Sequence, residues 1–118
     1  MRIQTLKKSS TTFDNTSTDF FCFGLTQDQE LLGNLKSADK HLSGSIMNAI
    51  SLEDFSGKAG KNILVYGNTN VKRIQISGLG KTDNVNLDSF RSVAAKISSF
   101  ANSMKCDTLS IDADSFKL

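Results

Sequence analysis

The sequence predicts an α/β domain in which helices pack on a mixed β-sheet, and three observations point there. Two four-residue apolar runs, Phe20-Phe21-Cys22-Phe23 and Ile63-Leu64-Val65-Tyr66, read as strands buried on both faces. Two longer segments, beginning near Leu31 and Leu87, repeat apolar residues at intervals of three and four, which places them along one face of a helix. Extended and helical segments alternate along the chain, the pattern of helices laid over a sheet.

Taken in order, residues 2–6 form a short strand, and residues 7–18, rich in Ser, Thr, Asp and Asn without apolar period, form a loop. Residues 19–25 hold the aromatic run and belong inside the sheet. From Leu31 onward, Leu35, Ala38, Leu42, Ile46, Ala49 and Ile50 share the apolar face of a single helix, opposite Asn34, Ser37, His41, Ser45 and Asn48. The run from Ile63 to Tyr66 is the next strand; Gly67-Asn68-Thr69-Asn70 supplies turn residues, and residues 72–77 return as its antiparallel partner. The second helix starts after Asn84 or Asn86, either able to cap free backbone N–H groups, with Asp88 in the first turn where the helix dipole favours negative charge. Its core face is Leu87, Phe90, Ala94, Ile97, Ala101 and Met104, with Lys105 near the C-terminal end. Residues 108–111 are the last strand. The order is β-β-α-β-β-α-β. Without the first strand it becomes β-α-β-β-α-β, the ferredoxin-like order, and periodicity alone does not choose between a ferredoxin-like α+β fold and a mixed sheet with helices on it.

One domain spans residues 1–118, because 12.8 kDa suits a single core and the chain has no proline, repeat or low-complexity linker to mark a boundary. A hydrophobic content of 38% with a mean hydropathy of -0.23 places it among globular proteins rather than disordered ones. Fourteen Lys and Arg against twelve Asp and Glu leave a net charge of +2, too little for the single-sign field of a dedicated nucleic-acid binder. No apolar run approaches the roughly 20 residues of a membrane span. The N-terminus is basic without a following apolar region, which argues against export. Cys22 and Cys106, far apart in apolar contexts, read as buried reduced thiols of a cytoplasmic protein.

The search for chemistry assigns no catalytic and no metal-binding residue. Gly78-Leu79-Gly80-Lys81-Thr82 follows a strand and ends like a phosphate loop, but a phosphate loop needs glycine where Gln75 stands. A dinucleotide fingerprint fails at Asp83, whose carboxylate would repel a pyrophosphate. The segment therefore reads as a turn. His41 is the one histidine and sits on the polar helix face, which leaves no Ser-His-Asp or Cys-His pair. Asp112-Ala113-Asp114 offers two carboxylates without further ligands, as expected of a solvated strand end. Lys58, Lys61, Lys72, Arg73 and Lys81 gather around the hairpin in sequence, as candidate phosphate or nucleic-acid contacts or as guards of a strand edge.

Three segments carry a family resemblance. Phe55-Ser56-Gly57-Lys58-Ala59-Gly60 is similar to an F-x-G-K-x-G stretch ahead of a core strand. Arg73-Ile74-Gln75-Ile76-Ser77-Gly78-Leu79-Gly80-Lys81 is similar to a basic residue, a hydrophobic strand and a G-L-G-K turn. Leu87 to Ala95, with Phe90-Arg91, Ala94 and Ala95, is similar to an L-R-x-A-x-A helix, and Asp39 and Gly44 fit the same pattern. In this order they resemble the N-terminal domain of the leucyl aminopeptidase (cytosol aminopeptidase) family of metallopeptidases.

The resemblance implies a macro-domain-like, three-layer mixed sheet with helices on both faces, in preference to the ferredoxin-like fold. It implies a parent that removes N-terminal residues, typically leucine, from peptides, using two divalent metals (Zn²⁺ or Mn²⁺) in a C-terminal catalytic domain absent from these residues. The family motif N-T-D-A-E-G-R does not occur; Asp112-Ala113-Asp114-Ser115 echoes part of it without the Gly-Arg ending. The implied partners are that catalytic domain and other copies in a homo-hexamer, with DNA as a partner in some bacterial members. The implied role is structural, in assembly or interaction. The alternative is a stand-alone macro-like module for ADP-ribose, another nucleotide or nucleic acid.

Overall fold

The computed structural model describes residues 2–6, 18–27, 31, 33–67, 71–81 and 87–116. In chain order these form β1 (Arg2–Leu6), β2 (Thr18–Thr26), α1 (Gly33–His41), α2 (Ser45–Leu52), β3 (Asn62–Tyr66), β4 (Val71–Gly80), α3 (Leu87–Ser103), β5 (Thr108–Asp112) and a closing 3₁₀ turn, Ala113–Phe116. The sheet order is β1-β5-β2-β4-β3. β1, β5, β2 and β4 are parallel, and β3 returns antiparallel to β4 as the sequence pattern predicts.

The aromatic run of β2 explains the layering. Side chains alternate across a strand, so Phe21 and Phe23 point to one face and Phe20 and Cys22 to the other, and all four are fully buried. On the first face Phe21 and Phe23 stack at 4.6 Å beneath Leu35, Ala38 and Ile46 of α1 and α2. On the second, Phe20 and Cys22 meet Ile97 and Ala101 of α3, Leu109 of β5 and Phe116 of the closing turn. Phe20 and Phe100 pack edge to face at 5.8 Å, as do Phe90 and Phe116 at 5.4 Å. Helices therefore cover both faces of a largely parallel sheet. A ferredoxin-like fold would put both helices on one face of an antiparallel sheet, so that alternative is excluded.

Three local expectations are corrected. The single helix from Leu31 is two, α1 and α2, because Ser43 and Gly44 adopt positive φ (57° and 81°). The Gly44 N–H closes α1 by donating to the Asp39 carbonyl at 2.8 Å, and the Asp39 carboxylate accepts the Met47 N–H at 3.0 Å, capping the first turn of α2. Asp39 and Gly44, noted above only for their resemblance, make the break. β3 is not buried on both faces: Ile63 and Val65 are buried while Asn62, Leu64 and Tyr66 are exposed, since β3 is an edge strand. β4 runs on to Gly80, so Gly78-Leu79-Gly80 is strand rather than turn.

Other expectations fall partly outside the described residues. These include most of the loop 7–18, of which Thr18 opens β2, the turn residues Asn68 to Asn70, and the caps Asn84 and Asn86. Of the second helix's core face, Ile97 and Ala101 are buried, and Phe90, Met104 and also Val93 pack against the same cluster. Phe21→Ala should cost about 3–5 kcal/mol in urea unfolding, through lost burial and an unfilled cavity. Lys36→Ala, on the exposed side of α1, should stay within about 0.5 kcal/mol.

Candidate functional site

The five basic residues do not form one stripe. With Asn62 opposite Ser77 and Tyr66 opposite Arg73, Lys58 and Lys61 lie with Lys81 at the end of the sheet where β4 finishes. Lys72 and Arg73 lie where β4 begins, nine residues from Lys81, or about 30 Å at ~3.3 Å per residue. Lys58, Lys61 and Lys81 are exposed. Lys72 instead pairs with the Asp19 carboxylate at 3.2 Å. Arg73 sits close enough to Cys106 to favour its thiolate, but desolvation is the larger influence and pushes that thiol up.

The glycine-rich segment is a backbone clasp. Residues 57 and 58 pass over the ends of β2 and β4. Gly80 N–H donates to the Gly57 carbonyl at 2.9 Å, Gly78 N–H to the Lys61 carbonyl at 2.7 Å, and Gln27 N–H to the Gly80 carbonyl at 2.8 Å. A Cβ on Gly78 would run into the Lys58 carbonyl oxygen and come 2.8 Å from the Gly57 carbonyl carbon. Gly57, at φ 88°, would place a Cβ 2.7 Å from the Thr26 carbonyl oxygen. The Gly78 and Gly80 amides are thus spent on backbone carbonyls rather than turned toward an anion.

The remaining candidates are also placed. Asp112 is 3% exposed, correcting the expected solvated strand end: the chain turns into the 3₁₀ segment, where the Ser115 hydroxyl donates to the Asp112 carbonyl at 2.7 Å and accepts the Gly24 N–H at 2.8 Å. The side chain of Asp114 lies outside the described residues. His41 is exposed at the end of α1. Cys22 and Cys106 are both free and buried as expected, and burial pushes the Cys22 thiol well above its ordinary value, which leaves it a poor nucleophile. Among the described residues no group of three His, Cys, Asp or Glu could hold a metal ion. No helix there is long and apolar enough to cross a membrane.

Two shallow grooves adjoin β3. One, of about 290 Å³, lies between β3, β4 and α3 and is lined by Leu64, Gln75, Lys96 and Phe100. The other, of about 410 Å³, mixes Glu53 and Asp54 with Lys58 and Lys61. In the first, Gln75 Nε2 donates to Ser77 Oγ at 3.2 Å, so its polar group is engaged within the sheet.

One ionic residue of consequence went unnoticed in the sequence. Asp19, just ahead of the aromatic run, accepts the Asp107 N–H at 2.9 Å and pairs with Lys72. These contacts, the backbone hydrogen bond foremost, hold its carboxyl below the usual range and tie the start of β2 to the turn before β5. An acid before a strand is common, and its partner is 88 residues away in sequence.

Comparison with known proteins adds what the geometry leaves open. The model of the "Cytosol aminopeptidase family, N-terminal domain" matches residues 21–118.

The chain belongs to the cytosol aminopeptidase family.

It is 34% identical over 109 residues to a probable cytosol aminopeptidase of Cyanothece sp., a match covering 90% of this chain and 22% of that protein. A probable cytosol aminopeptidase of Alkaliphilus oremlandii is 33% identical over 116 residues, covering 96% of this chain and 23% of the relative. A solved structure of a tomato leucine aminopeptidase mutant superimposes with a TM-score of 0.75 at 24% identity, over 94% of this chain and 22% of that one, and shows the shared fold. The chain therefore spans about a fifth of the length of these relatives. The segments quoted for the family resemblance, residues 55–60 and 73–81, are those that meet in the clasp.

Two outcomes follow for this aminopeptidase-family domain. Gly78→Ala should lower stability by about 1–3 kcal/mol through overpacking, while Lys81→Ala stays within about 0.5 kcal/mol in the same denaturation assay. Because the folded pKa of Asp19 is depressed, its contribution is present above the unfolded value and lost as pH falls through the folded one. Urea midpoints measured from pH 6 down through about 4 and below should fall less steeply in Asp19→Asn than in the wild type.

Proposed function

We propose that this chain is the non-catalytic N-terminal domain of a metal-dependent aminopeptidase and serves structure, assembly or interaction rather than chemistry. The observation that carries the reading is the family match over residues 21–118 in a chain that covers only 22% of a relative named as an aminopeptidase. The placement of residues supports it: the motif glycines are committed to backbone packing, and both cysteines are buried.

In this reading the partner is a C-terminal catalytic domain of the same parent, assembled as a homo-hexamer in the cytoplasm. Two divalent metals, Zn²⁺ or Mn²⁺, bound in that domain would activate a water and polarise the scissile carbonyl of a peptide's first residue. The nucleotide and nucleic-acid readings have less support, because the five basic residues are divided between two ends of the sheet and Glu53 and Asp54 share a groove with Lys58 and Lys61.

Incubating the purified 118-residue chain with leucine p-nitroanilide and Zn²⁺ or Mn²⁺ should give no hydrolysis above the metal blank. Turnover that scales with the concentration of this chain would overturn the assignment.

A further inference from the structure

The groove of about 290 Å³ between β3, β4 and α3 holds a buried amide whose hydrogen bonding is incomplete. β3 and β4 pair Asn62 with Ser77 and Leu64 with Gln75, and Gln75 lies in register with Cys22 of β2, which packs under α3. These four side chains therefore share the α3 face of the sheet. Gln75 is 5% exposed. Among the described residues its one side-chain hydrogen bond runs from Nε2 to Ser77 Oγ, which engages the nitrogen end and leaves the Oε1 acceptor without a partner. An unpaired acceptor at a buried position is costly, so a donor brought by a ligand gains more here than at the open surface.

The other walls of the groove supply one charge and an apolar clamp. Lys96 leans from α3 toward the start of β3, where a Cβ on Gly60 would lie 3.9 Å from its ammonium nitrogen. Among the described residues no carboxylate pairs with Lys96, and no Asp or Glu lines the groove. Asn62 adds a second amide. One helical turn beyond Lys96, Phe100 lines the groove together with Leu64. Both are more than a third exposed, and the Phe100 ring is held in place by its edge-to-face contact with Phe20.

We propose that this groove binds a small anionic amino-acid derivative, an apolar amino acid whose nitrogen is acylated. The ligand carboxylate pairs with Lys96, its amide N–H donates to Gln75 Oε1, its acyl carbonyl accepts from the Asn62 amide, and its side chain lies between Leu64 and Phe100. A free amino acid is disfavoured, because its ammonium group would sit beside Lys96 with no carboxylate to offset it. The volume sits at the lower edge of the range of about 300–1,000 Å³ for small-molecule sites, which suits a single residue. This site goes beyond the aminopeptidase reading and does not rest on it.

Titration of N-acetyl-L-phenylalanine into the isotope-labelled 118-residue chain, followed by backbone amide NMR shifts, tests the proposal. The shifts should saturate with a Kd of about 1 mM, as befits so small a ligand, and be largest at residues 62–64, 75, 96 and 100. N-acetyl-L-phenylalaninamide, which lacks the carboxylate, should bind about tenfold more weakly, and Lys96→Gln should weaken the parent ligand to the same degree. Hydrocinnamate, which lacks the acylated nitrogen, should also bind about tenfold more weakly; Gln75→Leu should bring N-acetyl-L-phenylalanine down to that level and leave hydrocinnamate unchanged. The comparison among ligands needs no variant, and Lys96 is exposed, so its replacement leaves the fold intact. No saturation up to about 20 mM, some twenty times the expected Kd, or saturable shifts centred elsewhere, would overturn the site. Equal affinity for the carboxamide or for hydrocinnamate would overturn the ligand class.

Discussion

The rest of the structure depends on the close passage of residues 57 and 58 over the ends of β2 and β4. β2 is the middle of the sheet, and β4 is the strand through which β3 joins it. β4 must end near enough for the Gly57 carbonyl to accept from Gly80 and for the Gly78 amide to reach Lys61, and β2 with its Thr26 carbonyl against Gly57. Only a residue without a Cβ fits at positions 57 and 78, because the atoms it would strike are main-chain atoms that cannot rotate away. Glycine at both positions lets the loop after α2 lie flat on the sheet and start β3 in register with β4.

This constraint also accounts for the false lead in the sequence. Gly78-Leu79-Gly80-Lys81 has the composition of an anion-binding loop, yet its glycines serve contact between backbones. What separates the two uses is where the amide protons go, and composition does not carry that information. The same holds for Asp39 and Gly44. They fall inside the span read as one helix, whereas their hydrogen bonds end one helix and begin the next.

β2 was legible as a continuous apolar run, the hairpin as two extended segments joined by turn residues, and the long α3 as a helical period. The helix break was hidden because both helices turn their apolar residues to the same core, so the three-and-four spacing runs across residues 42–44 undisturbed. The exposure of β3 was hidden because a short apolar run looks alike in a central strand and at an edge. The alternation of Ile63 and Val65 against Leu64 and Tyr66 emerges only once the neighbours are known. For the candidate site, the proximity of five basic residues in sequence gave way to their separation along an extended strand. Asp19 acts through a partner too remote in sequence for any local pattern to register.

The family motifs here maintain a scaffold, and the chain spans about a fifth of the length of the relatives it matches. The most direct measurement is the mass of the native protein carrying this sequence in its source cells, detected with an antibody raised against the 118 residues. A band several-fold larger than 12.8 kDa is what a domain of a longer aminopeptidase requires. A band at 12.8 kDa would contradict that account and make the chain a module with a ligand of its own.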